Sequence, residues 1–507
     1  MPFDFIYLDI ALLLVALYCI FRLATKTRLR APLPPGPAGI PLLGNLFDMP
    51  QERDWETFAK WGDQYGDLFS VTVFGQVFVY TNSADVAKDM FDRQSAIYSD
   101  RPMLPMLGEL MGWKNSMGFI GYGQRWRNVR RLSHQLLGTP LKVQLFHSHV
   151  EVETHKLLKR LLESPGLLKN HLRKTAGAII LRMSYGYEVR EGRDTLVDLA
   201  NEATEQASLA LVPGRFLVNL VPALLHYPEF LPGAGFKKIA KEWGANLNDT
   251  VEKPYKFVQD QIAAGVAETS FVSKLIEGKQ LDSEQEFAVK WAAQSFYAAG
   301  SDTTVGTIYA FFKMMVLYPE CQIKAQEEID RVIGSNRLPT VADQERLPYV
   351  NALVKEALRI HTVVPMGVPH SSTVDSVYKG YFIPKGAMVF ANIWKMTHDP
   401  VTYPDPMTFN PERFMGPNPE MDPTDLMFGF GRRICAGRHL AEISVFISCA
   451  MVLATYNISK YYDENGTPLE PQIGTTPGAV SHPTDFKCCV SPRSENAAAL
   501  IREELPR

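Results

Sequence analysis

Cys435 lies in the loop Phe428-Gly-Phe-Gly431-Arg-Arg433-Ile-Cys435-Ala-Gly437, which holds three glycines and two arginines. An apolar run at helical spacing, Leu440 to Leu453, follows it. Glycines let the backbone turn tightly and approach a bound group closely. A thiol near a helix N-terminus, with arginines beside it, is disposed to ionise. The loop therefore offers an anionic sulfur ligand with cations around it. On the residues alone this is an activated or metal-binding cysteine, or else a buried structural thiol.

A second cluster lies upstream. Ala299, Asp302, Thr303 and Gly306 stand at i, i+3, i+4 and i+7 and share one face of a helix. Small residues on that face let a bulky planar group reach the backbone, and an acid beside an alcohol can relay protons. The competing reading is a helix-packing stripe with a satisfied aspartate. Glu356-Ala-Leu-Arg359 belongs to a helix with the apolar stripe Val350, Leu353, Val354, Ala357 and Leu358. The pair points away from that stripe. By itself it reads as a solvated ion pair worth roughly a few tenths of a kcal/mol.

In this order, with Pro411-Glu-Arg413-Phe414 between them, the segments resemble the cytochrome P450 family. The loop matches FxxGxRxCxG, the family's most specific signature, through Phe428, Gly431, Arg433, Cys435 and Gly437. Ala299-Gly-Ser-Asp302-Thr303-Thr304 resembles its distal helix motif, and Glu356 to Arg359 its ExxR motif. The resemblance implies haem b, with Cys435 as the thiolate ligand of its iron and Phe428 shielding the sulfur. A thiolate ligand pushes electron density toward the iron and favours O–O cleavage. Asp302 and Thr303 would deliver protons to dioxygen, with Ala299 and Gly437 close to the haem. Glu356, Arg359 and Arg413 would brace the cysteine loop.

Arg433 would pair a haem propionate, as would Trp126 and Arg130 of a WxxxR segment, and His370, ten residues before Gly380. Arginine suits such an anion. Ala436 and Thr362 replace prolines frequent in the family; the first is a mild change, and no loss of function is expected from the second.

The resemblance runs from a proline-rich segment to near Pro492. It implies a mainly α fold with a small β-rich lobe. Local patterns agree: Asp67 to Tyr80 reads as a hairpin turning at Phe74-Gly75-Gln76, and Val374 to Val389 as short strands with turns at Lys379-Gly380 and Lys385-Gly386. Ser283 with Glu286 predicts a capping box opening a long helix that Pro319 ends. Its charged residues leave no uncharged run long enough to span a membrane. The tail after Ser494 is polar and is expected to fray.

The chain has 507 residues, 46% of them hydrophobic, ample for a large core and a cofactor. No repeat or linker divides it, so one large domain is expected where length alone would suggest about three. A net charge of −3 argues against nucleic-acid binding. Six cysteines without a CxxC pair argue against structural zinc and a disulfide framework; Cys449 reads as a core thiol.

Residues 1–30 read as a membrane anchor with a basic flank, 31–41 as a proline-rich hinge and 42–507 as the catalytic domain. Ile10 to Phe21 is uncharged, and Phe5 to Ala24 gives about twenty mostly apolar residues. Arg22, Lys26, Arg28 and Arg30 follow, and no Lys or Arg precedes them. This predicts a single-pass protein of the endoplasmic reticulum with residue 1 in the lumen and the domain in the cytosol. The sequons at Asn248, Asn457 and Asn465 would then stay unmodified. A cleaved signal peptide would carry its charge before the apolar run.

By the family pattern, substrate faces Tyr98 to Tyr122, Gln206 to Phe236, Val363 to Val368 and Thr475 to Val480. Met103, Leu104, Met106, Leu107, Val363 and Val364 suit a lipophilic substrate. The apolar stretch Leu209 to Phe236 reads as a lid on the membrane surface, or else as an ordinary buried helix pair. The chain resembles fungal microsomal members of secondary metabolism, which oxidise terpenoids, polyketides or aromatic compounds. No dinucleotide fingerprint appears, so electrons are expected from NADPH through a separate cytochrome P450 reductase, with cytochrome b5 as a second donor. Arg432 and Arg438 are candidates for the docking surface. The alternatives are a haem-thiolate isomerase, dehydratase or peroxygenase, and a non-catalytic haem sensor.

Overall fold

Asp282 opens the longest helix of the protein. In the computed structural model, which describes residues 31–212 and 214–503, its carboxylate accepts the Gln285 N–H at 2.8 Å and the Gln285 side chain accepts the Asp282 N–H at 3.1 Å. The capping box thus sits one residue before the expected Ser283–Glu286 pair, because Ser283 is already helical. The expected anchor over residues 1–30 lies outside the described residues.

The helices that position the site are α1 (Asp54–Tyr65), α2 (Gln124–Leu137), α3 (His147–Glu163), α4 (Leu168–Tyr185), α5 (Thr195–Leu211), α6 (Gly235–Ala263), α7 (Ser283–Leu317), α8 (Pro319–Val332), α9 (Pro348–Ile360), α10 (Arg438–Thr455) and α11 (Glu495–Arg502). Pro319 starts α8 at the position where its missing N–H costs nothing, and so separates it from α7. The main core lies where α3, α4, α7, α9 and α10 meet, with Phe311, Phe312, Met315, Phe446 and Ile447 fully buried. Each such side chain contributes about 1.5–3 kcal/mol on leaving water. Among the described residues only α10 is long and apolar enough to cross a membrane, and 72% of it is buried inside the protein. It is a core helix, and it carries Cys435 at its head.

The β lobe forms as the sequence predicts. Strands β1 (Leu68–Val73) and β2 (Gln76–Thr81) make an antiparallel hairpin. After β3 (His370–Ser371), β4 (Ser376–Tyr378) and β5 (Tyr381–Ile383) form a second pair, and β6 (Met388–Ala391) joins β2 in parallel and β3 antiparallel. A third sheet joins β7 (Tyr456–Tyr462), β8 (Pro468–Leu469) and β9 (Cys488–Pro492). The proline run is bound to this lobe: Pro34 and Pro35 carbonyls accept from Ser70, and Pro32 from Phe382.

The C-terminal segment corrects an expectation. Residues 495–502 form α11, capped by the Ser494 hydroxyl, with Ala497, Ala498 and Ile501 buried on one face. Their i, i+1, i+4 spacing is the amphipathic signal that overall polarity concealed.

Candidate active site

The backbone N–H of Cys435 donates to the Phe428 carbonyl at 2.8 Å and closes the loop across its base. Gly431 has φ +57°, and a Cβ there would overlap the Phe91 carbonyl, so this glycine is required. Gly437 is the N-cap of α10. Its N–H and that of Arg438 point at the Cys435 sulfur.

Cys435 as a residue keeps accessible surface, yet protein surrounds its sulfur closely: burial pushes the thiol up, and the two N–H groups and Arg130 pull it back only in part. The sequence reading, in which the helix N-terminus and the arginines favour the thiolate, leaves out this opposing burial. Such a sulfur loses its proton most readily to a metal cation, which fits a ligand better than a free nucleophile.

Cations gather on one side of this loop. The Arg433 guanidinium lies 4.5 Å over the Trp126 ring and donates to the carbonyls of Ser99 and Ile120, each at 2.8 Å. Burial draws it down to about 10. Arg130, also drawn down by burial, feels the charges of Cys435 and Arg433. His370 bonds the Tyr98 carbonyl at 2.5 Å through Nδ1. Burial and then Arg101 push its ring well below the usual imidazole range.

Arg101, which the sequence reading missed, completes the group. It donates to the carbonyls of Gly118, Val368 and Pro369 at 2.7–2.8 Å, and burial and Arg433 depress it strongly. Its only sequence signal was an arginine between Asp100 and Pro102 in a substrate-facing segment. Three arginines and a neutral histidine gather here, and the one carboxylate whose charge acts on Arg101 and Arg433 is Asp100. Buried cations in excess call for an anion, and the two carboxylates of a haem meet that need. The donor set fits haem. Replacing Arg101 with glutamine is expected to speed haem transfer to apomyoglobin severalfold at unchanged helical content; equal transfer rates would remove Arg101 from the group.

On α7, Ala299 retains open surface in the middle of a largely buried helix, and Thr303 partly so. The Thr303 hydroxyl donates to the Ala299 carbonyl at 2.8 Å. The expected face divides in two. Asp302 and Gly306 turn toward the loop at 475–483: the Asp302 carboxylate bonds His482 Nε2 at 3.0 Å, and Gly306 packs on Val363 and His482. Burial raises the Asp302 carboxyl, but His482, with Arg173 and Lys169, holds it below its usual value overall.

Glu356 and Arg359 are fully buried, not solvated. Glu356 accepts from Arg359 at 2.7 and 2.8 Å, from Arg413 at 3.1 Å and from the Asn410 N–H at 2.9 Å. Arg359 also donates to the carbonyls of Thr397, Pro406 and Thr408. Glu420, unforeseen in the sequence, takes Arg413 at 2.6 Å and balances the charge. This network pins residues 397–420, the approach to the cysteine loop, onto α9.

Of the apolar residues named for the substrate face, Met106 and Leu107 are packed against α5, α6 and Phe216. Met103 is exposed and Val363 lies against Gly306 on α7. In the 209–236 stretch, Leu217, Val221 and Phe230 are exposed, Phe230 by 86%. Arg432 is exposed and bonds the Tyr122 hydroxyl, whereas Arg438 pairs with Glu442.

The family model for Cytochrome P450 matches residues 34–490. The chain is 50% identical to Cytochrome P450 monooxygenase 208 of Postia placenta, over 97% of this chain and 96% of that one. It is 46% identical to Cytochrome P450 monooxygenase claR of Ampulloclitocybe clavipes, over 97% and 92%. It is 41% identical to Cytochrome P450 monooxygenase ppsD of Aspergillus oryzae, over 96% and 93%.

Proposed function

Because the chain belongs to the cytochrome P450 family, and so to the haem-thiolate monooxygenases, we propose that it oxidises a lipophilic small molecule of terpenoid, polyketide or aromatic type, with electrons from NADPH through a separate reductase. The observation that carries the reading is the accessible residue Cys435, its sulfur held by two backbone N–H groups beside a cationic cluster. Haem b, when bound, lets dioxygen be activated so that one oxygen atom enters the substrate and the other leaves as water. Cys435 would hold its iron through the sulfur. Arg101, Arg130, Arg433, His370 and Trp126 would hold the propionates, with Ala299 giving the group open helix surface to lie against. Asp302 and Thr303 would supply protons to the reaction.

The exposed apolar residues Leu217, Val221 and Phe230 support a face resting on the endoplasmic reticulum membrane, through which apolar substrates enter. Arg432 and its neighbours would receive the reductase, with cytochrome b5 as a second donor. The test is expression in microsomes with a reductase, feeding of metabolite extracts and detection by mass. NADPH-dependent gain of one oxygen atom by an apolar compound is expected. Conversion without NADPH, or NADPH-independent rearrangement, would replace this reading with an isomerase or peroxygenase.

A further inference from the structure

His482 occupies a position that no part of the family pattern above assigns. It stands at the stem of the 475–483 loop, where the Thr476 N–H donates to its carbonyl at 2.7 Å and its own N–H donates to the Thr476 hydroxyl at 2.9 Å. The preceding residue is fixed twice: the Ser481 N–H donates to Val363 at 2.8 Å, and its carbonyl accepts from His361 Nε2 at 3.0 Å. Lys313 of α7 holds the far side through the Thr484 hydroxyl at 2.9 Å. From this anchored stem the imidazole reaches Asp302 through Nε2 at 3.0 Å. Its other nitrogen, Nδ1, is buried and without a partner among the described residues. A methyl group at Gly306 would lie 3.4 Å from that nitrogen and 3.3 Å from Val363, so the glycine gives the ring its seat. Thr303 bonds the Ala299 carbonyl and not Asp302.

We propose that His482 is a positioning residue that holds the Asp302 carboxylate toward the substrate loop, so that this loop sets where the proton-delivering acid stands. The inference rests on the monooxygenase reading. Val363 and the first residues of the loop, 475–480, belong to segments expected to face substrate; Val363 packs on Gly306, and the loop reaches Gly306 and Asp302 through His482. A shift of the loop therefore moves the acid directly, whereas Arg173 and Lys169 of α4 act on it only at longer range. Without the histidine, Asp302 loses the one side-chain hydrogen bond it makes among the described residues, and with it its fixed direction, and protons arrive less reliably.

The consequence is readable without knowing the substrate. In the presence of reductase, dioxygen leaves either as hydrogen peroxide, with two electrons and two protons, or as two waters, with four of each; NADPH supplies the electrons. Poor proton delivery favours peroxide. His482→Phe, which keeps a flat ring without a donor, should raise the peroxide share per NADPH severalfold, and His482→Gln, which keeps a donor, should restore most of the loss. A second readout does not depend on turnover. In [13C]histidine-labelled holoprotein in its ferrous carbonyl form, the resonance lost in His482→Gln should shift on Asp302→Asn.

An unmoved resonance would show that the pair does not exist. A moved resonance with an unchanged peroxide share in His482→Phe would reduce the histidine to a brace for the loop. Both results overturn the proposal. Wild-type protein that consumes no NADPH with reductase would instead strike the monooxygenase reading, and the resonance would still decide the pair.

Discussion

Cys435→Ala is expected to abolish the thiolate-type carbonyl spectrum and bring monooxygenase turnover below detection. The sulfur is the one anionic ligand the loop can offer, and Phe428, Gly431 and Gly437 shape the backbone around it. Loss of a general acid costs about 10²–10⁴-fold in rate; loss of the electron-donating ligand removes the push that makes O–O cleavage favourable at all, so the effect should exceed that of Asp302→Asn. The variant should still fold. The cationic cluster proposed to hold the propionates does not involve the sulfur's bonds, and Arg433 keeps its Ser99 and Ile120 carbonyls. The measurement is the spectrum of the reduced, carbon monoxide-bound protein beside its haem content. A retained thiolate band in the variant, or an imidazole-type band in the wild type, would refute the assignment to Cys435.

The cysteine loop was legible because its chemistry is local: ten consecutive residues hold the ligand, the turns and the flanking arginines. The same holds for the long helix, whose capping signal, apolar content and terminating proline all lie along the chain. What the sequence did not disclose are partners brought together by the fold. His482 and Asp302 are far apart in sequence and meet only because Ser481 hangs on Val363 and His361. Glu420 joins Arg413 across a turn that no periodicity announces. Arg101 has no motif around it, and its place beside Arg433 and His370 depends on the packing of three separate segments. Burial, too, is a tertiary property. The apolar stripe of α9 put Glu356 and Arg359 on the polar side of an amphipathic helix, and the sequence alone could not say that residues 397–420 would cover that side.

That covering makes Glu356 a costly charge to remove, and Glu356→Gln should yield little holoprotein. Substitution leaves Arg359 fully buried with carbonyl partners only, since Glu356 is its one carboxylate among the described residues. Stranding a buried charge in this way costs about 3–5 kcal/mol, against a total stability for a typical domain of about 5–15 kcal/mol. The amide also cannot accept from Arg359, Arg413 and the Asn410 N–H together as the carboxylate does. The damage should reach the cysteine loop, because the network ties residues 397–420 to α9. Haem per protein chain and the thermal melting curve should therefore fall together. Glu420→Gln supplies the contrast. Glu420 is partly exposed, and Arg413 would keep Glu356 as its counter-ion, so the loss should be a small fraction of that for Glu356→Gln. Equal losses in the two variants would mean that the brace acts through net charge. A larger loss at Glu356, with the Cys435 carbonyl spectrum collapsing in step with melting, would mean that it acts through the carbonyls Arg359 holds and the path they fix to the sulfur.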